Sequence, residues 1–263
     1  MIDIKIGRYW DLPLSWIDGC TPCSPGCEHC WSAAMATRFR SDAINRHLED
    51  ILVRNGKFTG RIKIHPDRLD IPLKRKKPTV YSLWNDLFHE DVPMEFIAES
   101  FNVMAGKAPQ HKYLVLTKRP QRMMEFFKWS RSCLDFFPHI YLGLTVCNQQ
   151  EADEKIPIFL QVPGKKFLSI EPCISNISLW GTYLNIKWVE YFDVVIMGAE
   201  TGASARPMDL EWARTIRDEC EVAGTPFFLK QTDKKHNRLL DVRTHDELPW
   251  IVPTQSVQRL NKA

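Results

Sequence analysis

Hydrophobic positions along this chain fall into a repeated alternation: a short β-branched or aromatic run, a few polar residues, then a longer segment with helical spacing. The apolar runs occupy residues 79–83, 112–117, 140–146, 166–170, 192–197 and 226–230. Helical periodicity fills 93–106, 119–128, 148–161 and 208–223, and a further helix is predicted from Trp31 to Arg40. Strands and helices in this order predict an α/β protein with a parallel sheet and crossover helices. Such a sheet can be open and doubly wound, or curl into a partial or complete TIM-like barrel; the pattern alone fits both.

The polar residues sharpen this picture. Asn85 with Asp86, Thr117-Lys118-Arg119, Thr145 with Asn148, Glu171, and Glu200 with Thr201 all follow the C-terminal ends of apolar runs. In a parallel barrel those ends converge on one mouth, which is where such folds keep their active sites. Asn85, Asp86, Thr117, Lys118, Thr145, Glu171 and Glu200 are therefore the candidate binding residues. Lys118 and Arg119 offer a point charge and a bidentate fork to a phosphate or carboxylate, and read equally well as solvated cations at a helix start. Trp84, Phe88 and His89 read as packing residues or substrate contacts, and Lys230-Gln231 ends the last strand. Residues 56–78, rich in Gly, Pro and Lys, are expected to form an irregular connection. Residues 232–263 carry no strand and helix alternation, so the chain reads as one domain, 1–231, with an irregular C-terminal extension packed on it.

Composition adds limits. With 44% hydrophobic and 25% charged residues in 263, one large core is expected and no long disordered region. A net charge of +3 is too small to argue for nucleic acid on its own, and the basic stretch Lys74-Arg75-Lys76-Lys77, near Arg61, Lys63 and Arg68, reads as a solvated loop. No apolar run reaches the length of a membrane span, and the first residues lack the order of a secretory signal, so no membrane association and a cytoplasmic location are expected.

The densest chemistry lies in Cys20-Thr21-Pro22-Cys23-Ser24-Pro25-Gly26-Cys27-Glu28-His29-Cys30, just ahead of the helix starting at Trp31. The other cysteines, Cys133, Cys147, Cys173 and Cys220, are scattered singly and read as small buried hydrophobes. Structural zinc usually takes two Cys-x-x-Cys knuckles a dozen or more residues apart, whereas three residues separate the pairs here. Closely spaced thiolates on one loop can reach different corners of an iron–sulfur cluster, so a cluster fits better than zinc. Each Cys-x-x-Cys also has the spacing of a redox dithiol, but nothing around it resembles a thioredoxin unit. Cys23, Cys27 and Cys30 have the CxxxCxxC spacing associated with radical S-adenosylmethionine (radical SAM) enzymes.

Over most of its length the chain resembles the bacteriophage three-Cys-motif proteins of unknown function, the phage Gp thirty-seven/Gp sixty-eight group, which are radical SAM-like. The resemblance is carried by Gly19-Cys20-Thr21, Ser24-Pro25-Gly26-Cys27, His29-Cys30-Trp31, Asn85 to Pro93, Leu116 to Pro120, Gly143 to Val146, Ser169 to Pro172, Gly198 to Gly202, Ala205 to Met208 and Phe227 to Gln231. It implies a C-x6-C-x2-C ligand set of Cys20, Cys27 and Cys30, with Cys23 as the alternative ligand. Two departures are Cys147, where similar proteins often carry an acidic residue, and Ala199 in place of a second glycine. A barrel of the radical SAM type is implied, with a [4Fe-4S] cluster, S-adenosylmethionine and an external electron donor. The implied reaction is reductive cleavage of S-adenosylmethionine to a 5′-deoxyadenosyl radical. The candidate binding residues would then contact cofactor or substrate. A phage setting makes a nucleic-acid or nucleotide substrate attractive, with the host cytoplasm as location. The alternatives are a non-catalytic, zinc- or cluster-stabilised interaction module, and a repair or nuclease-like protein whose cluster is structural.

Overall fold

A computed structural model describes residues 2–38, 52–131, 137–181 and 186–251. The predicted apolar runs become strands β6 (Val80–Leu83), β7 (Lys112–Thr117), β8 (Ile140–Thr145), β9 (Lys165–Ile170), β10 (Val194–Gly198) and β11 (Phe227–Gln231). Before them come three strands that periodicity does not reveal, β1 (Leu12–Leu14), β2 (Ile17–Gly19) and β5 (Ile62–Ile64), and a hairpin of β3 (Val53–Arg54) with β4 (Lys57–Phe58). The helices are α1 (Trp31–Arg38), α2 (Ile71–Lys74), α3 (Met94–Asn102), α4 (Pro120–Ser130), α5 (Gln149–Phe159) and α6 (Leu210–Ala223), with α3 running on into one π turn, Val103–Lys107.

Helix ends follow local chemistry. Pro120 opens α4, where its missing N–H costs nothing. Asn148 caps α5 and Asp209 caps α6, each side chain accepting from a backbone N–H of the first turn. Gly224 closes α6 in the left-handed region at φ 70°.

Seven strands form one sheet in the order β1-β6-β7-β8-β9-β10-β11, and every neighbouring pair is parallel. The order never reverses. Right-handed crossovers then keep α3, α4, α5 and α6 on one face, which curls the sheet into a partial barrel instead of winding it doubly about a switch point. Alternate residues divide between two cores. Val195 and Met197 of β10 pack with Met123, Phe126, Ile156 and Ile216 of the helices, while Val194 and Ile196 join Leu114, Tyr141, Phe167 and Phe228 inside the sheet's curve.

Among the described residues no ladder joins β1 to β11, so the barrel is open at that seam. The N-terminal segment crosses it. Arg238 Nη1 donates to Ile4 O at 2.5 Å, and a Cβ added at Gly7 would lie 2.4 Å from Lys230 O, so this stretch lies directly against β11 before Asp11 N donates to Val80 O beside β1. Residues 232–251 fold back under the sheet, where buried Leu248 and Trp250 close the inner core at the N-terminal ends of the strands.

The expectation of an irregular 56–78 connection needs correction. That stretch supplies β4, β5 and α2, and β5 pairs antiparallel with β2 in the register Ile17↔Ile64, Gly19↔Ile62. These strands are too short to show a period, and their pairing spans a sequence gap that local patterning does not carry. Cys147, Cys173 and Cys220 are buried, and Cys133 lies outside the described residues. No described helix is long and apolar enough to cross a membrane.

Candidate functional site

The cysteine loop leaves β2 at Gly19 and enters α1 at Trp31. Gly19 has φ 89°, and a Cβ there would come within 2.2 Å of Arg61 O, so the chain turns away from β5 only because this residue has no side chain. Ser24 Oγ accepts from Gly26 N at 3.1 Å and caps a 3-10 turn, Pro25–Cys27. Beneath that turn Gly26 packs on Pro172 and on Cys147, whose thiol donates to Glu151 Oε2 at 2.8 Å. The loop therefore lies over the C-terminal ends of β8 and β9, beside an open cavity of about 340 Å³ whose walls include Cys20, Cys23, Cys27 and Cys30.

Two arginines fasten the loop from opposite sides. Arg119 Nη2 donates to Thr21 O at 2.9 Å, its Nη1 lies 4.0 Å from Cys20 Sγ, and the same guanidinium pairs with Asp86 at 2.8 Å and Glu90 at 2.7 Å. Asp86 accepts four hydrogen bonds, from Thr117 Oγ1, Phe88 N, Lys118 N and Arg119 Nη1, which occupies both carboxylate oxygens. His89, 2% exposed, accepts from Asp91 N at Nδ1, so Nε2 carries the proton and donates to Thr21 Oγ1 at 2.7 Å. On the other side Arg206 donates to Pro25 O at 3.1 Å and to Glu28 at 3.2 Å. Its partner Glu200 also accepts from His29 Nδ1 at 3.0 Å, between Cys27 and Cys30. These donors outweigh burial, which acts in the opposite direction, and hold the Glu200 carboxyl down to about 2.

All four thiols are free. The neighbouring Cys23 thiol brings the Cys27 thiol below the usual thiol range against the opposing effect of burial, and the charge of Lys118 adds to the fall. Burial, then the charge of Asp86, pushes Cys20 up to about 11. Burial works against the charge of the Lys118 ammonium, but the sulfurs of Cys27, Cys30 and Cys23 raise its pKa overall. Among the described residues its Nζ makes no hydrogen bond or ion pair, and no three cysteine, histidine or acidic side chains are gathered tightly enough for a single metal ion.

The rest of the wall is polar below and aromatic at the rim. Ser82, Thr145 and Ser169 face the cavity from β6, β8 and β9, and their hydroxyls have no protein partner among the described residues. Glu171 Oε1 accepts from Lys230 Nζ at 2.5 Å and Gln231 Nε2 at 3.1 Å. Asn85, at φ 64°, donates to Ile17 O and accepts from Ser32 Oγ, joining the end of β6 to β2 and α1. Trp31 is 49% exposed and lies 4.9 Å from Trp84 between ring centroids, and across the mouth Arg8 sits over Trp10 at 5.2 Å.

Of the residues singled out by sequence, Asn85, Asp86, Thr117, Lys118, Thr145 and Glu171 line the same cavity as the four cysteines. Glu200 does not line it; it holds the cysteine loop through His29 and Arg206. Arg119 is engaged by Asp86 and Glu90, which leaves its fork no free face for a phosphate. Sequence reasoning missed Arg8, Trp10, Ser82 and His236 as wall residues. Ser82 sits on the inward side of a recognised strand, so alternation could have found it; Arg8, Trp10 and His236 lie in irregular segments and carried no such signal.

Fold and site together define a class: a partial parallel α/β barrel with a four-cysteine loop at the mouth formed by its strand ends. The chain belongs to a family of proteins of unknown function, DUF5131, whose model matches residues 8–249. No curated protein matches it significantly.

Proposed function

We propose that this protein is a radical SAM enzyme, with a [4Fe-4S] cluster on Cys20, Cys27 and Cys30, Cys23 as the alternative ligand, and S-adenosylmethionine in the adjoining cavity. The observation that carries this reading is that four free thiols and polar residues from successive strand ends line one cavity at the barrel mouth. The donor set fits. Sulfur-only ligands favour iron–sulfur clusters over hard cations. Thiols close in sequence but not gathered for a single ion suit a group with several metal corners.

Held by Cys20, Cys27 and Cys30, a reduced [4Fe-4S] cluster would supply the electron for reductive cleavage of S-adenosylmethionine to methionine and a 5′-deoxyadenosyl radical. The chain's own residues bind and orient. Lys118 offsets negative charge beside the cysteines. The free hydroxyls of Ser82, Thr145 and Ser169 and the Glu171–Lys230 pair present donors and acceptors for an amino-acid carboxylate, an ammonium and ribose hydroxyls. The side-chain oxygens of Asp86 and Glu200 are occupied by protein donors, so in this reading both position the loop and do not contact cofactor.

Anaerobic reconstitution with iron and sulfide tests the proposal. The expected product is a brown, oxygen-sensitive protein with about four irons and four sulfides per chain, which forms 5′-deoxyadenosine from S-adenosylmethionine when dithionite stands in for the external electron donor. One zinc per chain with no sulfide would replace the enzyme by a zinc-stabilised interaction module.

A further inference from the structure

The charges of the cavity wall do not balance. Among the described residues its only carboxylates are Asp86 and Glu171, and each faces a cation of the same wall, Arg119 at 2.8 Å and Lys230 at 2.5 Å. Arg8 and Lys118 remain without a carboxylate partner among the described residues. Lys118 faces the thiols, whereas Arg8 belongs to the segment crossing the open seam, and its guanidinium is held over Trp10. The wall also carries Trp31, Trp84 and Phe58, and the indole of Trp31 is half exposed beside the cysteine loop. An unmatched fork selects a bidentate anion, and an exposed indole in a cavity wall offers a stacking surface for a flat ring.

Building on the enzyme reading above, we infer that the substrate is a nucleotide unit, free or within a single strand, bound in this cavity between the N-terminal segment and the cysteine loop. Its phosphate pairs with Arg8 and its base stacks on Trp31. S-adenosylmethionine brings one carboxylate, which the strand-end hydroxyls and Lys230 serve in that reading, and Lys118 offsets the cysteines; Arg8, on a different segment, serves a second anion. The basic stretch Lys74 to Lys77 precedes β6 and so lies at the opposite end of the sheet, which makes it the internal control.

The test uses the full chain, as purified and after reconstitution, and follows tryptophan fluorescence during titration with a nucleoside monophosphate, the matching nucleoside, inorganic phosphate and a short single-stranded oligonucleotide. The mononucleotide or the strand is expected to bind more tightly than phosphate or nucleoside alone, and saturating S-adenosylmethionine should not displace it. Arg8→Ala and Trp31→Ala should each weaken binding about tenfold, Arg8→Lys less, and Lys76→Ala not at all. Equal affinity for mononucleotide and strand assigns the free nucleotide; tighter, salt-dependent strand binding that both variants weaken assigns nucleic acid. The inference is overturned if neither binds better than phosphate, if Lys76→Ala weakens binding as much as Arg8→Ala, or if S-adenosylmethionine competes with the nucleotide. Iron and sulfide analysis of the same samples separates the two readings. A loaded cluster without nucleotide binding removes only the substrate, and nucleotide binding by a protein that takes up no cluster removes only the radical chemistry.

Discussion

At Glu200 donors from two residues converge on one carboxylate, and through them the side chain reaches both Pro25 and His29 of the cysteine loop. Its folded value of about 2 lies below the ordinary 4.5, so the ionised form is favoured by folding. The stability it contributes is complete above about pH 4.5 and is lost as pH falls from there towards 2. Glu200→Gln should therefore lower unfolding stability at neutral pH by about 2 kcal/mol and flatten the acid limb between those values, read by urea titration at several pH values. A second residue-level outcome separates the two ligand sets. Iron content after reconstitution should collapse in Cys20→Ala, Cys27→Ala and Cys30→Ala and persist in Cys23→Ala. Retention in Cys20→Ala with loss in Cys23→Ala would move the third ligand to Cys23.

Among the elements, β8 shows why strand identity is easier to read than strand contacts. Its apolar residues alternate with Gly143, which faces Phe167 of β9 across the register Gly143↔Phe167. A Cβ at Gly143 would lie 2.2 Å from the Phe167 ring, so the glycine is the space into which that ring packs. Gly143→Ala should cost about 1–3 kcal/mol by overpacking, with Phe167→Leu partly restoring stability in a double-mutant cycle. The six longer strands and most helices were legible because each carries its own period, cap or flanking proline. The strands β1 and β2 were not, because three residues define no period and Pro13 argues against a strand unless it lies at an edge, as β1 does.

For the molecule as a whole, the open barrel needs closing at its lower end, and Trp250 supplies that closure. Its ring lies edge-on to Tyr141 and Phe167, and its Nε1 donates to Tyr9 O at 2.8 Å, which ties the C-terminal extension to the N-terminal segment crossing the seam. Trp250→Ala should destabilise the fold by about 3–5 kcal/mol, measured by urea or thermal unfolding, while Trp129→Ala, at a half-exposed site, should cost much less.

The amino-acid order alone determined the parallel strand and helix alternation, the cysteine loop ahead of a helix, and the polar residues at strand ends, since each is a pattern of near neighbours. Only the tertiary structure decided that the barrel stays open, that Asp86 and Glu200 are engaged in holding the loop, and that Arg8 and Trp10 stand at the seam. The physical reason is reach: periodicity records which face of an element is buried, whereas the partner of a buried charge is fixed by packing between distant segments, 171 residues apart for His29 and Glu200 and 234 for Ile4 and Arg238.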